Sequence, residues 1–167
     1  MSELEFLSPD RAESSSGFDP RPRSPLARAL ERAGDLGLED VSLLYGKLEV
    51  RGRLDGAAIE GQLARIAPDR ALVLCPYERT AEVRAELRRR FPLVIDRTGA
   101  LAALRLQGST LMRRLTALDL QTLPAAGAVA SVPAVVFADA EEFTIVLGQE
   151  YGHYFAGVVC DAVRGLS

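Results

Sequence analysis

A single imidazole limits the nucleophilic and metal chemistry open to this chain. His153 is the only histidine, so any Ser-His or Cys-His pair, and any imidazole-held metal, must use it. It lies in "QEYGHYFAGVVCDAV", residues 149–163. Helical spacing there puts Tyr151, Tyr154, Phe155 and Val158 on one face and turns His153 away, so a solvated histidine and a core-packed aromatic face are expected. Cys75 and Cys160 have no CxxC partner and sit in apolar patterns, as inert buried thiols do. The carboxylates of "DAEE", residues 139–142, could serve paired-acid catalysis, but between two apolar runs they read as a polar turn. In "RAELRRRF", residues 84–91, the arginines interleave with Glu82 and Glu86, which describes a charged solvent face. GxxxxGK[ST], GxGxxG and GxSxG are absent, so the sequence offers neither a phosphate cradle nor a nucleophile elbow. No catalytic, cofactor-binding or metal-ligating residue is assigned on these grounds.

Composition bounds the rest. A chain of 167 residues that is 48% hydrophobic can bury one real core and is short for two. Its net charge of -3 lacks the basic footprint that phosphate-backbone binding requires, which sets nucleic acid aside. Lys47 is the only lysine among otherwise arginine bases, which reads as codon usage. Two cysteines, with no apolar run beside positive charge in residues 1–24, predict a reduced, cytoplasmic protein. Residues 120–138 are uncharged over nearly a bilayer's width, yet Pro124, Gly127 and Pro133 break any helix there. Buried β-structure and no membrane span are expected.

Those residues must be positioned by elements that recur. Residues 1–24, with "ESSSG" and three prolines, read as a flexible tail. "SPLARALERAG" predicts a short helix with Ser24 as N-cap, Pro25 in the first turn, Leu26 and Leu30 on one face and Gly34 as its stop. A strand over 41–51 ends at Gly52, a helix over 56–66 carries Ile59, Leu63 and Ile66, and Pro68 closes it. "RALVLC" is a strand, Thr80 caps a helix burying Val83, Leu87 and Phe91, and "PLVID" is a strand again. "DVSLLYGKLEVRG", residues 40–52, then has a counterpart in "DRTGALAALRLQG", residues 96–108. After it, Ser109 should cap a helix bearing Leu111, Leu115 and Leu118. An offset of 56 aligns Gly52 with Gly108, Ile59 with Leu115 and Pro68 with Pro124. "FTIVLG" matches "RALVLC" at a shift of 73, because residues 126–142 add a hairpin. The expectation is one α+β domain over 25–167, built from two strand-helix-strand-helix repeats, about 40–92 and 96–163, under pseudo-twofold symmetry, since each half covers the apolar sheet face of the other.

The string from Asp96 to Gly127, with its Asp-x-Thr opening, alternating strand to Gly108, helix, "LDL", Pro124 and Gly127, resembles the folate-binding domain superfamily of the glycine cleavage T protein. It is most similar to the gamma subunit family of heterotetrameric sarcosine oxidase, as are "SPLA" at 24–27 and the segment from Phe143 to Tyr154, so the likeness spans roughly 24–165. The resemblance implies an internally duplicated, folate-binding-domain-like fold. It also implies an accessory role beside larger flavoprotein and folate-domain subunits, which hold tetrahydrofolate, FAD, FMN and NAD. The Asp-bearing segment of full T proteins is missing from "AGAVASVPAVVFADAEE", so no catalytic residue carries over. A stand-alone folate-binding or aminomethyl-transfer protein is the alternative.

Overall fold

The computed structural model describes residues 24, 26–31, 38–54 and 61–165. Among these residues the α-helices are α1 (Ala27–Glu31), α2 (Thr80–Arg90), α3 (Ser109–Leu115) and α4 (Gly152–Arg164). The strands among them are β1 (Leu38–Asp40), β2 (Tyr45–Arg51), β3 (Gln62–Ala67), β4 (Arg70–Pro76), β5 (Leu93–Asp96), β6 (Leu101–Gln107), β7 (Ala125–Val129), β8 (Val132–Asp139) and β9 (Glu142–Gly148). They form two antiparallel sheets, ordered β1-β6-β9-β8-β7 and β3-β4-β2-β5.

Alternation along the strands explains why the sheets stack between helices. Leu48 and Val50 of β2 point to one side, where Val83, Leu87 and Phe91 close a core beneath α2. Leu104 and Leu106 of β6 point away from the β2 sheet, toward Leu26 just ahead of α1, Met112 of α3, and Phe155 and Val159 of α4. The inner faces meet through Val41, Leu72, Leu74, Ala103, Phe137 and Val146. The result is a mixed α/β sandwich whose two sheets are each covered outside by helices. Fully burying one such side chain stabilises by about 1.5–3 kcal/mol. The uncharged run over 120–138 is a 3-10 turn at Leu120–Thr122, then β7 and β8 short of Asp139; it is buried at Val129, Val132 and Ala134 to Phe137, while Gln121, Thr122, Pro124, Ala128, Ser131, Pro133 and Ala138 are exposed.

Several local expectations change. The helix expected over 56–66 is replaced over its described part by β3, and residues 56–60 lie outside the described residues. Leu63 packs on the α2 side while Ile66 joins the inter-sheet core. Residues three apart on opposite faces fit a strand and not a helix, and a bulge between Arg65 and Ala67 completes the switch. Val41 to Leu44 is not strand: it forms a turn between β1 and β2. Ser24 does accept from Leu26 N–H, at 3.1 Å, whereas Pro25 and Gly34 lie outside the described residues.

Thr80 does not cap α2. It follows the 3-10 turn Tyr77–Arg79 and donates its hydroxyl to Tyr77 O at 2.6 Å. Ser109 is likewise inside its helix, and its N–H is capped by the Glu141 carboxylate at 2.9 Å. The carboxylate of the following hairpin reaches a free helix-end donor that a serine in the first turn cannot. Pro68 and Pro124 also sit differently, one in the β3–β4 turn and the other ahead of β7. If Leu48 is matched with Leu104, their partners Val73 and Ile145 differ by 72 and not 73. The turns beginning at Tyr77 and Gln149 and the helices beginning at Thr80 and Gly152 keep that same offset of 72.

Candidate functional site

The repeated Asp-x-Ser/Thr triplets do a shared structural job. Asp40 Oδ1 accepts from Ser42 N–H and Asp96 Oδ1 from Thr98 N–H, both at 3.0 Å, and each turn aims its hydroxyl at the strand that pairs with the one it leaves. Ser42 Oγ accepts from Ala103 N–H of β6 at 2.9 Å, while Thr98 Oγ1 accepts from Lys47 N–H of β2 at 3.0 Å. The backbone repeats the exchange: Val41 N–H donates to Ala103 O at 3.1 Å and Arg97 N–H to Lys47 O at 2.8 Å. The separation of 56 residues that relates Ser42 to Thr98 also relates Lys47 to Ala103, so each turn serves the other's strand.

Lys47 stands at the centre of this crossing. Its side chain is wholly buried, and Nζ donates to Ser42 O at 2.7 Å and Tyr45 O at 3.0 Å. Burial lowers the amine from 10.5 to about 8, against the opposing pull of Asp40, Asp96 and Cys75. Sequence alternation placed Lys47 on the face opposite Leu48, which a lone strand would show to water. The covering sheet makes that face interior. The amine is held by carbonyls and faces no cavity among those described, so its arrangement fastens a turn.

Two openings lie beside the crossing. One groove of about 700 Å³ is bordered by both triplets, through Ser42, Asp96 and Thr98, and by the exposed Leu43 and Tyr77. The second, a cleft of about 480 Å³, opens between the sheets. Its walls are apolar, and its charged lining is Glu49, Arg70 and Arg97. Glu49 is buried and engages Arg51 at 2.9 Å and Arg70 at 3.0 Å. Arg97 Nε is buried with no hydrogen-bond partner. Arg70 Nε and Arg105 Nε also lack a well-angled hydrogen bond, but each has a carboxylate at 3.0 Å, from Glu49 and Glu142. Arg97 was not singled out in the sequence, because an arginine just beyond a strand carries no signal of burial.

The residues singled out by type are scattered. His153 is exposed on α4, and Cys75 and Cys160 are buried and form no disulfide among the described residues, burial raising the Cys160 thiol. The carboxylates of 139–142 divide between a helix cap from Glu141 and an ion pair from Glu142 to Arg105, in a β8–β9 turn. Arg84 pairs with Asp96 at 3.2 Å and Arg90 with Glu86 at 3.3 Å, making the expected charged face. The aromatic face of α4 is divided: Phe155 is core, but Tyr151 and Tyr154 are 40% and 55% exposed. Gly152, Ala156, Val159 and Cys160 take the buried stripe instead, because the sheet lies under that side. No group of side chains suited to a metal ion occurs among the described residues, and no helix of theirs is long and apolar enough to cross a membrane.

The fold belongs to a recognisable class. The structure is similar to a chain of the heterotetrameric sarcosine oxidase from Corynebacterium sp. U-96, determined in complex with pyrrole 2-carboxylate, with a TM-score of 0.72 and 14% identity. The likeness covers 87% of this chain and 96% of that one. A weaker likeness, to aspartokinase alpha and beta subunits, has a TM-score of 0.46 and 12% identity over 77% of this chain and 97% of that one. No protein-family model and no curated protein sequence matches. The chain therefore has the fold of a sarcosine oxidase subunit, consistent with the gamma subunit family that the sequence resembles.

Proposed function

We propose that this protein is a non-catalytic accessory subunit of a heteromeric, cytoplasmic, sarcosine-oxidase-like flavoenzyme. The complex would demethylate an N-methyl amino acid oxidatively and pass the methylene group to tetrahydrofolate. Larger flavoprotein and folate-domain subunits would hold FAD, FMN, NAD and tetrahydrofolate, and this chain would brace them. The observation that carries the reading is the near end-to-end match to one oxidase chain, covering 96% of it, rather than to a fragment. The exposed Leu43, Leu44 and Tyr77 beside the wider groove supply an apolar surface for a partner subunit. The domain is also proposed to be an internal duplication over about 40–92 and 96–163. That reading is supported by the reciprocal hydrogen bonds of Ser42 and Thr98 and by the like strand orders β5-β2-β4-β3 and β1-β6-β9-β8.

Gentle affinity purification of the tagged chain from its native host tests the first proposal. Large co-purifying chains with a flavin absorption spectrum are expected, and a colourless, solitary protein would overturn it. The second reading, a stand-alone folate-binding or aminomethyltransferase-like protein, is favoured by the ligand-sized cleft alone. Against it, Glu49 is already engaged by Arg51 and Arg70, leaving no free carboxylate in that lining for the N–H-rich edge of a pterin. Calorimetry with tetrahydrofolate is expected to show no binding.

A further inference from the structure

We infer that the cleft between the two sheets binds a small monocarboxylate with a flat apolar body, its carboxylate held by Arg97. The inference concerns this chain alone and does not depend on the oxidase reading. A buried donor without a partner is uncommon in a folded protein, and a guanidinium is the group best shaped to receive a carboxylate through two parallel hydrogen bonds. Arg97 has such a donor at Nε, makes no ion pair among the described residues, and lines the cleft. Its position is fixed from behind, because its N–H donates to Lys47 O and the Asp96 to Thr98 turn surrounds it.

The charge count selects an anion. Glu49 is already engaged by Arg51 and Arg70, and no carboxylate lies within ion-pair distance of Arg97 among the described residues. The walls select an apolar body, since Ile66, Leu72, Leu101, Val135 and Val146 supply hydrocarbon from both sheets. Small residues at Ala126 and Ala128 leave space between the sheets where larger side chains would close it. A volume of about 480 Å³ matches clefts that enclose small organic ligands. Glu49 Oε1 is already shared by Arg51 and Arg70 and the apolar walls offer no hydrogen bonds, which disfavours a polyhydroxylated or zwitterionic ligand.

The test is titration calorimetry on the full-length chain as purified, with 2-naphthoate as the probe and the neutral 2-naphthalenemethanol as its control. Saturable 2-naphthoate binding with a dissociation constant below about 1 mM is expected. Arg97→Met, which keeps the apolar stem, should weaken it about tenfold or more while changing binding of the alcohol less than about twofold. If the melting temperature shows that this variant fails to fold, Arg97→Lys serves in its place, with a smaller loss because the charge survives without the fork. No saturable binding of 2-naphthoate, equal affinity for acid and alcohol, or a folded Arg97 variant that binds the acid unchanged would each overturn the assignment.

Discussion

Below about pH 8 the folded protein keeps an ammonium where water cannot reach it. Lys47 holds its proton only to about pH 8 when folded, but the unfolded chain holds it to the ordinary 10.5. Between those values the unfolded state binds more protons, so stability should rise with pH through this window and the burial penalty should be complete below it. Denaturant titrations from pH 7.5 to 10.5 should show that rise, on the order of 3 kcal/mol relative to Lys47→Met, which has no amine to titrate. A parallel pair of curves would contradict it. Ser42 offers a second check. Its hydroxyl is buried and meets both Ala103 N–H and Ala103 O, so Ser42→Ala should cost about 2 kcal/mol in the same titration. The triplet itself was visible in sequence as Asp40 to Ser42 and Asp96 to Thr98, because its spacing is local. What Lys47 faces was not visible, because that depends on a sheet contributed by residues far along the chain.

Gly46 shows how the elements are set against one another. A Cβ there would overlap the Thr80 hydroxyl, with Thr80 Cβ at 2.9 Å, so β2 and the start of α2 touch at a point where no side chain fits. Gly46→Ala should therefore displace α2 and cost about 1–3 kcal/mol, and adding Thr80→Gly should restore part of the loss, a coupling that a double-mutant cycle of melting curves would read directly. Additive losses would show that the overlap is not the cause. At this scale the amphipathic helices were legible, as Val83, Leu87 and Phe91 lie buried under one face. The segment around Leu63 was not, since Leu63 and Ile66, three apart as on a helix face, fit a bulged strand with two buried faces equally well. Tyr151 and Tyr154 went astray for a related reason: periodicity groups residues on a face but does not say which face meets the sheet.

For the molecule as a whole, the apolar border of the wider groove carries the proposed assembly. Leu43→Asp combined with Tyr77→Asp replaces two exposed apolar side chains and should leave the melting temperature nearly unchanged, while lowering recovery of co-purifying subunits about tenfold. Undiminished recovery would move the interface elsewhere. The mixture of helices and strands was readable from composition and periodicity, but the division of the core into three layers and the pairing of β1 with β6 were not, because hydrophobic patterns record faces and not neighbours.

That pairing also governs when the protein can take shape as it leaves the ribosome. Leu38 meets Leu106, and β6 in turn needs β9, where Leu101 meets Gly148. Among the described residues, the first strand must wait, with its edge unsatisfied, until β6 has been made, and β6 must wait in turn for β9. Sheet closure is thus a late event in synthesis, and nascent chains halted before β9 should be bound by chaperones more heavily than those released complete.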